Sequence, residues 1–355
     1  MSAENLNWIT SVPIGMSIGL IGLFLNILSI ATWSNICRNP PTRKTGITAL
    51  SFIILGVVDT VTLCFFIASD SVKAAFPWLI QTYAYAWFYS YIGFPLNFFC
   101  IVSSIWIIVH ITYDRFTLIT QHTERKHGQI IRRSLLLLAI IFIFNLPHFF
   151  NYHPVMSVTN GTHGENKGRE YYTYRATEYG QSRACFQYEF WFHCMGAVII
   201  PILLVTVLNA LLLREILITS HFVLKKMSVS SISSSIYEFD GSTVNIVQMN
   251  PSAEMKRIQN DQSITKTLLG LTFTFIILLT FQCVCQCLWM LHFNGDADAR
   301  VWETVNSFYA FARLSVVVHC VINCLLYCFT GTLFRRELFK LFGLRKPLPS
   351  IPLPC

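Results

Sequence analysis

The sequence predicts an all-α membrane protein: a bundle of seven transmembrane helices followed by a short amphipathic eighth helix on the cytoplasmic side. Two observations carry this prediction. The 355 residues are 54% hydrophobic and only 12% charged, and the apolar residues fall into seven long runs. A typical soluble domain has about 25% charged residues, so this chain has too few polar side chains to cover a soluble surface. Global disorder is excluded, because disorder requires low hydrophobicity.

Each run is long enough for a membrane-crossing helix, which needs about 20 apolar residues. In lipid the backbone must satisfy its own hydrogen bonds, so only helices and closed barrels can span. The runs are too long and continuous for the strands of a barrel. In chain order they cover residues 11–33, 47–69, 84–111, 134–151, 190–213, 268–291 and 304–329.

Positive charge between the runs predicts the orientation. Most of the 26 Lys and Arg residues lie in alternate connections and in the tail, and such residues concentrate on the cytoplasmic side. We therefore expect a multi-pass plasma-membrane protein with residues 1–10 as a short extracellular N-terminus and 331–355 inside. The sequon at Asn160 falls in an outside loop, where glycosylation is expected. Because the basic residues separate apolar runs, they indicate topology and no nucleic-acid partner.

One segment interrupts the seven-helix domain of residues 11–330, and a second segment follows it. The third inside loop, 214–266, is rich in serine, and its centre is either a disordered segment open to kinases or an inert linker. After the seventh run, apolar residues recur at helical spacing with basic residues between them. This pattern predicts an amphipathic helix on the inner membrane surface, with a frayed tail as the alternative. Its apolar residues are Phe334, Leu338, Leu341 and Phe342.

Short motifs fall at matching places in the runs. They are Gly22 to Asn26, Leu55 to Asp59, Asp114-Arg115-Phe116, Pro201, Asn323 to Tyr327, and Phe334-Arg335-Arg336. In this order they resemble the rhodopsin-like (class A) G-protein-coupled receptors over residues 26–340. Two finer features, Ser104-Ile105-Trp106 and the segment 322–329, are similar to the FMRFamide-receptor-like branch of neuropeptide and orphan receptors.

The resemblance implies a receptor, not an enzyme, that binds an extracellular ligand and activates a heterotrimeric G protein. We expect a neuropeptide ligand, with a chemosensory receptor for small external molecules as the alternative. Receptor kinases, arrestin and membrane lipid would be further partners. A seven-span transporter or channel is the third interpretation, and the sequence lacks the paired broken helices typical of transporters.

The resemblance also assigns roles at the inner end and the middle of the bundle. Asp114 and Arg115 would pair at rest, Arg115 would then contact the G protein, and Asn323 and Tyr327 would take part in activation. Asp59 is a carboxylate at mid-membrane, where an ionisable group marks a functional site by default. We expect Asp59, Ser104 and Asn323 to hold a structural sodium ion, the single cofactor anticipated. The alternative is a protonated, merely hydrogen-bonded Asp59.

Arg313 is a permanent cation in the outer half of the seventh run, and it requires an anion or several acceptors. It either binds a peptide terminus, an amide carbonyl or an acidic group of the ligand, or it is bridged to Glu189, Glu303 or Asp70. By position, the remaining ligand-binding candidates are Asn97, His193, Gln286, Trp289 and Tyr309.

The chain departs from the family pattern at several positions. Ser90 stands where a disulfide-forming Cys is usual, so Cys185 either leaves its loop looser or pairs with Cys194. In the sixth run Gln282 and Val284 replace the usual Trp and Pro, which removes a built-in kink. Most cysteines lie in apolar runs and behave as small hydrophobes, and no Cys/His pattern has zinc spacing.

Overall fold

The computed structural model describes residues 3–120, 127–158, 170–234, 251–293 and 299–344. Within these residues, seven helices are long and apolar enough to cross a membrane, and the predicted fold class is confirmed. We label them in chain order α1 (Asn5–Arg38), α2 (Arg43–Ala75), α3 (Tyr83–Thr120), α4 (His127–Phe150), α5 (Arg183–Glu215), α6 (Ile264–Cys285) and α7 (Ser307–Thr330).

Several helices are longer than the apolar runs that predicted them, because hydropathy marks only the part suited to lipid. The chain is helical from Ala3 onward, so most of the expected N-terminal segment 1–10 is continuous with α1. The helix that contains α6 covers Pro251–Phe293 without an interior proline. The helix that contains α7 covers Ala299–Thr330.

The connection between the fifth and sixth spans is partly helical. The helix that contains α5 continues to Ser234, and the helix that contains α6 begins at Pro251. The serines from Ser228 to Ser234 therefore lie on a helix, and whether they are open to kinases stays a prediction. Residues 235–250 lie outside the described residues.

Two strands that the sequence analysis did not predict connect α4 to α5. Strand β1 (Tyr152–Val158) pairs antiparallel with β2 (Glu170–Ala176), with Tyr152 opposite Ala176. The strands contain several aromatic and β-branched residues, which favour strands. This hairpin marks one end of the bundle, which we call the hairpin side. The sequon residue Asn160 lies outside the described residues.

A short helix, α8 (Thr332–Leu341), follows Gly331 at the opposite end, which we call the α8 side. Its face toward the bundle is buried, with Phe334 fully covered, whereas Phe339 and Leu341 are each 41% exposed. Arg335 Nη1 donates to the carbonyls of Cys328 and Phe329 at the end of α7. The amphipathic pattern thus forms a helix, and its place on a membrane surface stays a prediction.

Among the described residues, four helices contain π-helical turns, all toward the hairpin side. The segments are Thr10–Met16, Ile67–Ser71, Tyr89–Gly93 and Glu189–Ile199. π-Helical turns are rare and frequently accompany functional sites, because each one displaces side chains from their regular helical positions. The hairpin side is therefore the less regular end of the bundle.

Candidate functional site

A polar cluster joins α2, α3 and α7 at the middle of the bundle. Ser104 Oγ donates to Asp59 Oδ1 at 2.6 Å, and Asn323 Nδ2 donates to Asp59 Oδ2 at 2.7 Å. The Asp59 side chain is fully buried. The structure thus brings together the three residues named for the sodium site. Both carboxylate oxygens have a hydrogen-bond donor in this arrangement.

Unsatisfied polar atoms surround this cluster. Asn323 Oδ1 and both ring nitrogens of His319 are buried and have no hydrogen-bond partner among the described residues. A cavity of about 20 Å³ lies between Ser104, His319 and Cys320, which is room for roughly one water molecule. The site therefore offers unused oxygen and nitrogen acceptors beside an acidic group.

Toward the α8 side, Arg115 links α3 to α6. Its side chain is 1% exposed, and Nη2 donates to Thr265 Oγ1 at 3.4 Å. Thr265 follows Ile264 on this helix. No motif in the sequence singles out this hydroxyl, because its contact with Arg115 depends on how α3 and α6 pack. The side chain of Asp261 lies outside the described residues.

Asp114 links α3 to α4 at the same level. Its Oδ2 lies 3.5 Å from His110 Nε2, and its Oδ1 lies 4.0 Å from Arg133 Nη1. Arg133 is about half exposed, so solvent screens its interaction with the carboxylate. The resting pair of Asp114 with Arg115 stays a prediction.

Tyr327 lies in an aromatic cluster and does not face the membrane interface. Its ring is 2% exposed. The ring centroids lie 5.4 Å from Trp33, 5.1 Å from Phe52 and 5.4 Å from Phe334. The cluster joins α1, α2, α7 and α8, so a movement of Tyr327 would be felt by all four helices.

Toward the hairpin side, Arg313 is bridged to other residues of the chain. Nη1 donates to Asp70 Oδ1 at 2.6 Å, and Nη2 donates to Asn7 Oδ1 at 2.9 Å. The guanidinium carbon also lies 4.8 Å from the centre of the Tyr309 ring. Of the partners anticipated for a bridged Arg313, the structure shows Asp70. The side chain of Glu303 lies outside the described residues.

A narrow cavity of about 40 Å³ opens beside Arg313, which is room for about three water molecules. Asn97 and Tyr309 line it with Asp70, and so does Gln282, which was not among the predicted binding residues. Asn97 Oδ1 is buried without a hydrogen-bond partner in the described chain. A ligand larger than a few water molecules therefore requires these helices to move apart.

The remaining predicted binding residues are not shown at this cavity. His193 is not among the residues that line it, so its part in ligand binding stays a prediction. Instead, His193 lies in a second polar cluster between α4 and α5. The side chains of Gln286 and Trp289 lie outside the described residues, so their part in binding stays a prediction.

This second cluster contains two histidines and an acid. His148 Nε2 lies 2.5 Å from His193 Nε2, and His148 Nδ1 lies 3.3 Å from Glu189 Oε1. Asn151 Nδ2 lies 3.3 Å from His148 Nδ1. The sequence gives little indication of this arrangement, because His148 is 41 residues from Glu189 and 45 residues from His193.

Cys185 is not bonded to Cys194. It lies in the first turns of α5 and not in a loop, it carries a free thiol, and Sγ donates to Asn151 Oδ1 at 3.5 Å. Ser90, at the position of the usual cysteine, is fully buried. Of the two alternatives for Cys185, the pairing with Cys194 is therefore excluded.

The hairpin packs on the hairpin-side ends of α2 and α3 through Tyr174. Tyr174 stacks on Tyr89 at 4.1 Å, and Lys73 Nζ lies 4.9 Å from the centre of the Tyr174 ring. Burial, together with nearby Tyr174, Glu189 and Cys185, raises the pKa of Tyr152 to about 12. Tyr152 is therefore a neutral group at physiological pH.

Comparison with protein families identifies a match for most of the chain. The sequence model of a family described as "7 transmembrane receptor (rhodopsin family)" matches residues 46–327, which is about four fifths of the chain. No curated protein matches the sequence. The matched segment includes Asp59, Arg115 and Arg313.

Proposed function

The chain belongs to the rhodopsin family of seven-transmembrane receptors, and from that premise we propose that it binds an extracellular neuropeptide and activates a heterotrimeric G protein. It is a multi-pass membrane receptor and not an enzyme. Its place in the plasma membrane, its extracellular N-terminus and its likeness to the FMRFamide-receptor-like branch are parts of the proposal.

The observation that carries G-protein coupling is the buried contact between Arg115 and Thr265. This contact joins α3 to α6 at 3.4 Å through a neutral hydroxyl. A hydrogen bond between a charged group and a hydroxyl contributes only a few kcal/mol at most. A modest change in helix packing can therefore break it, free Arg115 and open a cleft for the C-terminal helix of a G protein.

Ligand recognition is proposed at the cavity beside Arg313. Because Asp70 already holds Nη1, an acidic group, a peptide terminus or an amide carbonyl would bind by competing with Asp70 for the guanidinium. Asn97 Oδ1 offers an unused acceptor on the facing helix. Binding there would favour one of two packings of α2, α3 and α7.

The second candidate is a chemosensory receptor on the same fold. The observation that favours it is the small size of the cavity, about 40 Å³. A small external molecule would enter with less separation of the helices than a peptide would need.

The cluster around Asp59 is proposed to hold a sodium ion. Hard cations take oxygen ligands, and Asp59, Ser104 and the unused Asn323 Oδ1 supply them. The ion would replace the amide donor on the carboxylate and connect α2, α3 and α7 in the resting packing.

Asp59→Asn should remove the dependence of stability on sodium. We expect the thermal unfolding midpoint of the purified wild-type chain to be higher in sodium chloride than in potassium chloride of equal concentration. The variant should show no difference between the salts. An equal sodium response in both proteins would contradict the site.

The remaining partners are also proposals. Receptor kinases and arrestin would act on the serine-rich segment between α5 and α6. Glycans would be attached at Asn160, and membrane lipid would contact the exposed face of α8.

Arg115→Ala tests the coupling. Cells carrying a G-protein reporter would be screened with amidated peptides and with small odorant molecules, and basal nucleotide exchange would be measured in membranes. We expect the variant to reach the cell surface but to lose both basal and ligand-driven signals.

The matched control is Arg132→Ala, which removes an exposed arginine at the same end of the bundle. It should signal like the wild type. Unchanged signalling in Arg115→Ala at equal surface expression would contradict the proposal.

A further inference from the structure

We propose that His148, Glu189 and His193 form a binding site for a divalent transition-metal ion, with Zn²⁺ as the ion its chemistry fits best. The three residues come from two helices, α4 and α5. Their ligand atoms all lie within 4.8 Å of one another. The residues are 0%, 8% and 6% exposed. Neither the family nor the role of Arg115 accounts for such a cluster.

The donor set suits zinc. Two imidazole nitrogens and a carboxylate are the protein ligands of many zinc sites, in which the metal lies about 2.0–2.1 Å from each nitrogen. Tetrahedral ligands at that radius are about 3.3 Å apart. The two Nε2 atoms are 2.5 Å apart. The rings would therefore move apart by less than about 1 Å to admit the ion.

The two imidazoles already point their nitrogens at each other. A single hydrogen bond between neutral rings uses one N–H and one lone pair, whichever tautomer is present. A metal ion would instead use a lone pair from both rings and a charge from Glu189. Burying this carboxylate is costly without a cation, and the metal would supply one.

Neighbouring groups orient the donors. His148 Nδ1 lies 3.3 Å from Glu189 Oε1, so Nδ1–H can donate to this oxygen while Nε2 keeps its lone pair for the ion and the second carboxylate oxygen stays available to it. Such outer contacts to ligating histidines fix ring orientation and affect metal affinity. The Glu189 side chain is 11% exposed, so an ion can enter from the hairpin side along this carboxylate.

Metal binding would act on the cavity beside Arg313 through Phe98. The Phe98 ring stacks on His148 at 4.8 Å and meets His193 edge-on at 5.1 Å. Phe98 also lines the cavity. Zinc would therefore fix α4 to α5 and restrict the positions that the Phe98 ring, which forms one wall of the cavity, can adopt. The metal site itself does not depend on the proposed ligand or on coupling.

The first test measures thermal unfolding of the purified full chain in lipid nanodiscs after chelator treatment, as Zn²⁺ is added. A ligand that binds only the folded state raises the unfolding midpoint with increasing concentration. We expect a saturable rise in the wild type. His148→Ala and His193→Ala should weaken the apparent Zn²⁺ affinity at least about tenfold.

His153→Ala is the matched control, since it removes a histidine five positions from His148, on β1. It should respond to Zn²⁺ like the wild type. No rise in the wild type, or an equal rise in all three variants, would overturn the site.

A second measurement needs no variant to fold. Co²⁺ added to the wild-type chain should give the strong visible absorption of a low-coordinate ion, and Zn²⁺ should abolish it by displacement. The weak absorption of a six-coordinate, hydrated ion would overturn the proposal.

Discussion

Two arginines at opposite ends of the bundle, one fully buried and one partly buried, are held in contrasting ways. Arg313, on the hairpin side, is held by a carboxylate, an amide oxygen and an aromatic ring. Arg115, on the α8 side, reaches the sixth helix through the hydroxyl of Thr265 at 3.4 Å. The contact between α7 and α2 is thus an ion pair, whereas the contact between α3 and α6 is a hydrogen bond to a neutral hydroxyl.

This difference separates a strong contact from one that is easily broken. Removing one partner of a buried ion pair typically costs about 3–5 kcal/mol, because the other charge stays buried. A hydrogen bond between a charged group and a hydroxyl contributes about 1.5–3 kcal/mol. The contact of Arg115 with Thr265 should therefore be easier to break than the contact of Arg313 with Asp70. Three substitutions test this contrast.

Asp70→Ala should have the largest effect. It leaves Arg313 partly buried without its carboxylate, so we expect the free energy of unfolding to fall by about 3 kcal/mol. Thermal unfolding in detergent measures the loss. Asp70→Ala combined with Arg313→Met should be more stable than Asp70→Ala alone, because no buried charge remains.

Glu337→Ala is the control for this effect. Glu337 pairs with Arg336 and Lys340 on α8, where ion pairs contribute about 0–1 kcal/mol. If both carboxylate deletions cost the same, the contrast between the two ends is wrong.

Thr265→Val should have an intermediate effect. It removes the hydroxyl that accepts from Arg115, at a cost of about 1.5 kcal/mol, which corresponds to roughly a tenfold shift from the resting to the active packing. We expect higher basal nucleotide exchange. Thr280→Val is the control, because Thr280 bonds only its own helix at Ile276. Basal exchange that is equal in the two variants counts against the link.

Tyr309→Leu should have the smallest effect. The ring lies 4.8 Å from the Arg313 guanidinium, and a cation–π contact at a partly exposed site contributes about 0.5–1 kcal/mol. Tyr309→Phe keeps the ring and should unfold like the wild type. If Tyr309→Phe is as unstable as Tyr309→Leu, the hydroxyl and not the ring matters.

Much of the fold could be predicted from the sequence, because each membrane helix satisfies its own backbone and needs only a local apolar run. The ends of the helices were less predictable, since helices continue into water where hydropathy gives no indication. The hairpin was missed for a related reason. Its pairing of Tyr152 with Ala176 joins residues 24 positions apart, and no local periodicity records that.

The same division applies to the site. The meeting of Asp59, Ser104 and Asn323 was anticipated because motifs give each residue a place in the family. The contact of Arg115 with Thr265 and the contact of Arg313 with Asp70 depend on side-chain packing between helices. The cluster of His148, Glu189 and His193 depends on how α4 and α5 pack. Because His148 is far from the other two residues in the sequence, no motif of closely spaced ligands indicates the cluster.

The helix that contains α6 is uninterrupted from Pro251 to Phe293, so it can tilt as one rigid rod. At 1.5 Å per residue its 43 residues are about 64 Å long. A tilt of this helix would pivot about Phe275, which packs on His319 at 5.4 Å. Thr265 lies about 15 Å from Phe275 along the helix. A tilt of about 5° would carry Thr265 about 1.3 Å by this geometry. Because this helix has no interior proline at which to bend, a small displacement of its hairpin-side half would also displace its α8-side half.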